Sequence, residues 1–175
     1  MPVEGETTNF NPLSALIRGS KLGVDVGTVR IGVAGCGRDE LVVLPLITIR
    51  RDHRSGNSGG SDIQQIAALA REREVVEIVV GLPRHLGGAE GKSAKAARRF
   101  AQQLARALPK VRVCLLDERL TSVTAQMRLA ESGKNTREQR EIVDQVAAQI
   151  ILETALEIEH RTGLPAGEQV LSKRR

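Results

Sequence analysis

The chain has 175 residues, of which 41% are hydrophobic and 27% are charged, a composition typical of one globular domain that buries a core without disulfides or a structural metal. Lys and Arg outnumber Asp and Glu by 26 to 21, so a polyanionic partner is indicated. Two phenylalanines are the only Phe, Tyr or Trp residues. We therefore do not expect base stacking on aromatic side chains to be the main means of recognition.

The cysteines and the apolar segments indicate a cytoplasmic protein. Cys36 and Cys114 form no CxxC pair, so we expect two reduced structural thiols rather than a zinc site or a disulfide. No run of about 18 apolar residues occurs. Residues 1–20 also lack the apolar centre of a signal peptide, and we expect no membrane contact.

The first part of the chain is predicted to consist mainly of strands. Residues 1–20 show no sustained periodicity and are expected to form a flexible extension. The β-branched runs 22–26 and 30–36, joined at Gly27 and Thr28, predict a hairpin. A third apolar run follows at 41–49, and Pro45 within it indicates an edge strand or a bulge.

Helices alternate with strands in the rest of the chain. After a polar glycine-rich loop, Ser61 or Asp62 is expected to cap the first helix. The predicted elements are a helix to about residue 74, strand 75–80, loop 81–92, helix 93–108, strand 111–116, a short helix 122–131, linker 132–136 and a long helix 137–160. These elements predict an α/β fold in which helices flank a five-stranded mixed sheet. We expect one domain at residues 21–162 and a basic tail at 163–175.

Carboxylates occupy unusual positions in two of these strands. Asp25 lies inside an otherwise apolar strand, where an unpaired charge is costly and requires an arginine or a metal as its partner. Asp117 and Glu118 follow the fifth strand, at the end where open sheets place ligand-binding residues. Strand parity does not distinguish these two, because the strand is apolar throughout.

A further carboxylate is predicted on the sheet-facing side of the long helix. At 100° per residue, Asp144 projects about 60° from Ala147 and about 20° from Ile151, both in the apolar stripe. Three carboxylates that converge at one rim of the sheet would repel each other unless a hard cation lay between them. Oxygen ligands favour Mg²⁺ or Mn²⁺ over zinc. The alternative for each carboxylate alone is a salt bridge to an arginine.

The loop at residues 81–92 indicates phosphate contacts. Its segment GGAEGKS nearly matches a P-loop, but Leu86 stands where the first glycine is required, which argues against a Walker A site. Arg84 and Lys92 remain as candidate phosphate ligands on a glycine-rich loop. The alternative is an ordinary solvated surface loop.

Four spaced motifs resemble those of the RuvX/YqgF family, in the same order, across residues 21–160. They are D-x-G-x-x-R-I-G-V-A from Asp25, V-G-L-P from Val80, D-E-R-L-T from Asp117 and V-D-Q-V-A-A from Val143. The resemblance implies a ribonuclease H-like fold related to the Holliday junction resolvase RuvC. It also implies either a nuclease that matures the 5′ end of pre-16S rRNA or a Holliday junction resolvase.

The resemblance also implies which residues form the site. By position, Asp25, Glu118 and Asp144 become the catalytic and metal-binding carboxylates, with Arg30 and Arg119 nearby. Together with Arg84 and Lys92, these two arginines are expected to position the phosphates of the nucleic acid without reading its bases.

We therefore predict an Mg²⁺- or Mn²⁺-dependent endonuclease that hydrolyses phosphodiester bonds of structured nucleic acid, with pre-16S rRNA as the first candidate substrate. A four-way DNA junction is the alternative, and paired cuts there would require a homodimer. Another alternative is a non-catalytic nucleic-acid-binding protein whose carboxylates hold arginines. An ATP-using phosphotransferase with an Asp-x-Gly-Thr turn is a further class, but the chain lacks the duplicated second domain that such proteins need.

Overall fold

The computed structural model describes residues 16–53, 59–121 and 137–172, which fold around one mixed sheet. Its strands are β1 (Lys21–Val26), β2 (Arg30–Cys36), β3 (Val43–Arg50), β4 (Glu77–Leu82), β5 (Arg112–Asp117) and β6 (Glu168–Gln169). The helices are α1 (Ser61–Glu72), α2 (Lys92–Ala107) and α3 (Arg137–Thr162). The strand order is β3-β2-β1-β4-β5-β6, in which β1, β4 and β5 are parallel and the other pairs are antiparallel. The predicted mixed sheet flanked by helices is confirmed.

The sheet has six strands rather than the expected five. The additional strand, β6, has two residues and lies in the segment that was expected to be a basic tail; it pairs with β5 through Glu168 and Gln169. Nearby Ala166 is 1% exposed, so part of this segment packs on the sheet. Two exposed polar residues carry no alternating apolar pattern, and sequence periodicity therefore could not reveal this strand.

Two local predictions can be compared with the structure directly. Pro45 lies in edge strand β3, and the β2–β3 register shifts beside it, so both expected features of this proline are present. The expected cap of α1 was wrong. Gly60 is the N-cap residue and makes no side-chain cap bond, whereas the Oδ2 atom of Asp52 accepts the Ser61 N–H at 3.0 Å.

Helices cover both faces of the sheet. On one face, α1 and α2 bury Ile63, Phe100 and Leu104 against alternate strand residues such as Val80. On the other face, α3 buries Leu152 and its neighbours against the strand residues that alternate with the first set, such as Val79 and Leu116. This period-two alternation is that of a sheet with two buried faces.

Two glycines bring α3 unusually close to the sheet. A Cβ on Gly32 would lie 1.8 Å from the carbonyl oxygen of Asp144, and one on Gly23 would lie 2.4 Å from that of Ala148. The Thr48 hydroxyl of β3 donates to the carbonyl oxygen of Glu141 at 2.8 Å. The helix backbone therefore rests directly on β1 and β2 and is tied to β3.

A buried ionic cluster lies at the beginning of β1. Lys21 is 1% exposed, and its Nζ atom lies 2.6 Å from Glu159 Oε2, 3.0 Å from Glu77 Oε2 and 3.4 Å from Glu40 Oε1. Arg112 also pairs with Glu77. The cluster joins β1, β4, β5 and α3 at the opposite end of β1 from Asp25.

Some predictions fall on parts of the chain that the structure does not describe. The short helix predicted at 122–131 and the linker 132–136 lie outside the described residues, as do residues 1–15 and 54–58. Cys36 and Cys114 are both buried free thiols. In the ranges that the structure describes, no helix is long and apolar enough to cross a membrane. The domain limits 21–162 stay a prediction.

Candidate metal and nucleic-acid site

Asp25 lies near the end of β1, directly opposite Gly32 of β2. Burial, and to a smaller extent the charge of Asp144, raises the pKa of its carboxyl group to about 6. Asp25 forms no ion pair with any residue that the structure describes. Its ionised form is therefore a desolvated charge without a compensating cation, which is costly.

Glu118 provides a second carboxylate of the same kind. It begins a short 3-10 turn, Glu118–Leu120, that follows β5 directly. Burial is the main reason why its pKa is raised to about 7, and the charges of Asp25 and Asp117 add to the shift. A Cβ on Gly81 of β4 would lie 2.5 Å from Glu118 Oε1, so this glycine makes the space that the carboxylate occupies. Within the described ranges Glu118 also has no ion pair.

The adjacent carboxylate, Asp117, is in a different state. Its Oδ2 atom accepts from Arg119 Nη2 at 2.6 Å, and its Oδ1 atom accepts the Arg119 N–H at 3.0 Å. The Nη1 atom of Arg84 lies 3.8 Å away. The hydrogen bonds from Arg119 hold the pKa of Asp117 below its usual range. Asp117 is thus compensated by arginines, whereas Glu118 is not.

Asp144 reaches the site from α3 and is held by an arginine. Its Oδ2 atom accepts from Arg30 Nε at 2.6 Å, and both side chains are partly buried. Its charge raises the pKa of Asp25, so the two carboxylates are electrostatic neighbours. For Asp144 the structure thus shows the salt bridge that was the alternative to metal binding.

The acidic residues suit a hard divalent cation in their chemistry. Asp25 and Glu118 offer carboxylate oxygens that are desolvated and lack a cationic partner among the described residues. No group of three or more His, Cys, Asp or Glu side chains in the described ranges is close enough to hold a metal as it stands. Arg30 engages Asp144, which would have to exchange this arginine for the metal. Oxygen donors with excess negative charge are the ligands that Mg²⁺ and Mn²⁺ prefer.

The four predicted phosphate ligands fall into two groups: Arg30 lies on β2, on one side of the strand that carries Asp25, and the other three lie in the segments that follow β4 and β5. Arg84 and Lys92 line one cleft of about 200 Å³ at the start of α2, and Arg119 approaches the same loop at Leu86. Arg30 lies apart from them, beside α3. The structure thus does not gather the four side chains into one patch.

Two positioning residues were not identified as such from the sequence. Glu90 accepts hydrogen bonds from both Arg84 and Arg98, and the bond to Arg84 orients that arginine. The hydrogen bonds from Arg98 are the main reason why the pKa of Glu90 is lowered to about 2. Gly81 makes room for Glu118. Gly81 was visible in the V-G-L-P motif, but only the neighbouring strand shows why a side chain does not fit there.

Known proteins resemble the chain over most of its length. A family model described as "RuvX: Holliday junction resolvase" matches residues 19–158. A relative from Thermobifida fusca is 45% identical over 159 residues, which cover 87% of this chain and 96% of the relative. One from Mycobacteroides abscessus is 47% identical over 146 residues, with coverages of 83% and 86%. Both carry the name "Putative pre-16S rRNA nuclease".

Solved structures give the same fold. Thermus thermophilus RuvC in complex with a Holliday junction substrate matches with a TM-score of 0.54 and 10% identity, over 87% of this chain and 100% of that chain. A second RuvC structure from Thermus thermophilus matches with a TM-score of 0.52 and 13% identity, over 86% and 99%. At such identities the likeness shows the fold alone, and this fold is the expected ribonuclease H-like one. Because the family model covers residues 19–158, the chain belongs to the RuvX family.

Proposed function

We propose that this chain is a metal-dependent nuclease that hydrolyses phosphodiester bonds of structured nucleic acid, with the 5′ end of pre-16S rRNA as its substrate in the cytoplasm. One observation carries the proposal. Asp25 and Glu118 are two desolvated carboxylates with raised pKa values, Asp25 also interacts with Asp144, and neither has a cationic partner in the described part of the chain. The names of the curated relatives support the substrate.

Asp25, Glu118 and Asp144 are the residues that would hold Mg²⁺ or Mn²⁺. A bound divalent ion lowers the pKa of water and neutralises charge on the attacking and leaving oxygens. Glu118 is assigned in preference to Asp117, because Asp117 is already neutralised by Arg119. Glu118 is also the residue whose charge interacts with Asp25.

The basic residues around the carboxylates bind and orient the substrate backbone. Arg84, Lys92 and Arg119 lie in the segments that follow β4 and β5, whereas Arg30 lies on β2 and pairs with Asp144. Guanidinium and ammonium groups at these places bind phosphate oxygens without reading the bases. If Asp144 held the metal, Arg30 would lose its carboxylate partner and would be free to bind a phosphate.

Cleavage of a four-way DNA junction is the second candidate activity. The description of the family model supports it, as does the RuvC-like fold. Paired cuts at such a junction need two active sites related by symmetry, and therefore a homodimer of this chain.

Cleavage assays with both substrates test these assignments. Wild-type protein, Asp25→Asn and Glu118→Gln are compared on a 5′ segment of pre-16S rRNA and on a four-way DNA junction, with Mg²⁺, Mn²⁺ or EDTA. Both variants should lose metal-dependent cleavage, and Asp39→Asn, an exposed carboxylate that follows β2 at the end of the hairpin opposite to Asp25, serves as the matched control. Undiminished cleavage by Asp25→Asn would refute the nuclease proposal.

Metal binding is measured separately by thermal unfolding. A cation that binds only the folded protein raises the midpoint of unfolding with its concentration. Wild-type protein and Asp39→Asn should show this rise, and Asp25→Asn should not. A protein that binds nucleic acid without catalysis would show no metal effect that depends on Asp25.

A further inference from the structure

A groove runs between the end of β3 and the first turns of α3, and Arg30 is the only predicted phosphate ligand that lines it. It has a volume of about 420 Å³. Four arginines dominate its lining, which includes Arg30, Arg50, Arg137, Arg140, Thr48 and Glu141. Positive charges therefore outnumber the one lining carboxylate by four to one. We call it the arginine groove.

On the sheet side of the groove, two arginines are direct cross-strand neighbours. Arg30 of β2 is paired in register with Arg50 of β3. Like charges at opposed positions of an antiparallel pair destabilise a sheet. Asp144 compensates Arg30, whereas Arg50 is exposed and has no ion pair among the described residues. This uncompensated charge is suited to an external anion.

On the helix side, two arginines of the groove lie on the same face of α3 as Asp144. Arg137, Arg140 and Asp144 are spaced i, i+3 and i+7, which places them on one face of α3. At 1.5 Å per residue, Arg137 lies about 10 Å along the helix axis from Asp144. Arg140 has no ion pair in the described ranges, and Arg137 has only an exposed one, 3.4 Å from Glu141.

Hydrogen bonds connect the β3 wall of the groove to the α3 wall. Thr48 of β3 donates to the carbonyl oxygen of Glu141 and accepts from Gln145 Nε2 at 3.2 Å. Arg30, which lines the groove, also pairs with Asp144 of the carboxylate site. In the sheet, β2 and β3 lie on one side of β1, which carries Asp25, whereas β4, which leads to Arg84, lies on the other side.

We propose that the arginine groove binds phosphates of the nucleic-acid strand that lie up to about three nucleotides from the cleaved bond. The distance follows from about 10 Å of helix and about 3.4 Å per nucleotide. The position of the cleaved bond rests on the proposed function. Arginines with no aromatic neighbour in the groove bind the backbone irrespective of sequence, so the contact provides affinity and direction rather than base selection.

The test measures binding in EDTA, where no metal-dependent cleavage occurs. A labelled four-way DNA junction and a 5′ segment of pre-16S rRNA are titrated between 50 and 200 mM salt with the double variant Arg50→Gln/Arg140→Gln. The slope of log K against log salt should fall by about one for each arginine, hence by about two. The control Arg73→Gln/Arg161→Gln removes the same charge from exposed positions outside the groove and should leave the slope unchanged. Equal slopes for the two double variants, on both nucleic acids, would overturn the proposal.

A gain-of-binding variant keeps the proposal falsifiable if the double variant fails to fold. Glu141→Gln removes the one carboxylate of the groove and should tighten binding at 50 mM salt, an effect that misfolding does not produce. Unchanged or weaker binding by Glu141→Gln overturns the proposal in that case. The nuclease assignment is tested separately, by the cleavage assay with Asp25→Asn. If that assay refuted the nuclease assignment, the salt slopes measured for the groove variants would not change.

Discussion

Replacing Asp25 by Asn should stabilise the metal-free protein at the same time as it abolishes cleavage. Burial and the charge of Asp144 raise the pKa of this carboxyl from 3.8 to about 6 in the folded protein. The folded state therefore holds the proton more tightly than the unfolded state. The stabilising contribution of this carboxyl group is fully present below its pKa in the unfolded state, and it is lost as the pH rises through about 6, its pKa in the folded state. Asn carries no charge and does not incur this loss.

The size of the effect follows from the pKa difference. Each pKa unit corresponds to 1.36 kcal/mol, so the shift from 3.8 to about 6 destabilises the wild-type protein by about 3 kcal/mol at pH 8. Imperfect hydrogen bonding of the buried amide subtracts about 1 kcal/mol from the gain. The net stabilisation of about 2 kcal/mol raises the unfolding midpoint by about 4–8 °C in a chain of this size.

Thermal unfolding in EDTA at pH 8 and near pH 4 checks the prediction. The variant should be more stable than wild type at pH 8, and most of the difference should be gone near pH 4, where the carboxyl is protonated in the folded state and close to half protonated in the unfolded state. Asp39→Asn, in which the changed side chain is exposed, should show no such pH-dependent gain. A variant that is less stable than wild type at pH 8, or equally stable, would refute the view of Asp25 as a partly buried charge without a compensating cation.

Three further substitutions test how the fold places the site. Gly81→Ala should lower kcat by about 10², because its Cβ would lie 2.5 Å from Oε1 of Glu118, a proposed metal ligand, whereas Gly87→Ala, which meets nothing within 4 Å, should keep wild-type rates. Gly32→Ala should lower the free energy of unfolding in urea by about 3 kcal/mol, because α3 would have to move; a loss below about 0.5 kcal/mol would contradict this packing. Lys21→Met should lower the free energy of unfolding by about 3–5 kcal/mol, because it leaves buried carboxylates unpaired. Lys110→Met, at an exposed position, should lower it little. Similar losses for both variants would disprove a stabilising role of the buried cluster.

Periodicity was sufficient to predict the elements that carry the carboxylates. Asp25 stood out because it interrupts an apolar strand, and helical spacing placed Asp144 on the sheet-facing side of α3, where the structure has it beside Arg30. The parallel strands that end near the site are long, apolar and bounded by polar loops, which makes them easy to recognise. The two-residue β6 has none of these properties and was missed.

Distinctions that depend on neighbours from other strands could not be made from the sequence. Asp117 and Glu118 are adjacent, and their different states arise because Arg119 folds back on the first and Gly81 admits the second. The pairing of Arg30 with Arg50 depends on the β2–β3 register, which contains a shift beside Pro45. Such contacts are non-local, and local sequence patterns carry no information about them.

The close contact between α3 and the glycines of the first hairpin determines when the site can exist. The Arg30–Asp144 pair joins residues 114 positions apart, so the site is completed only after a very long loop has closed. During synthesis, β1 and β2 emerge long before α3, and chains fold progressively from the N-terminus. Until α3 has left the ribosome and docked, Asp25 has no acidic partner from the helix. A partly synthesised chain therefore lacks a complete carboxylate site, which protects the RNA around it from premature cleavage under the proposed function.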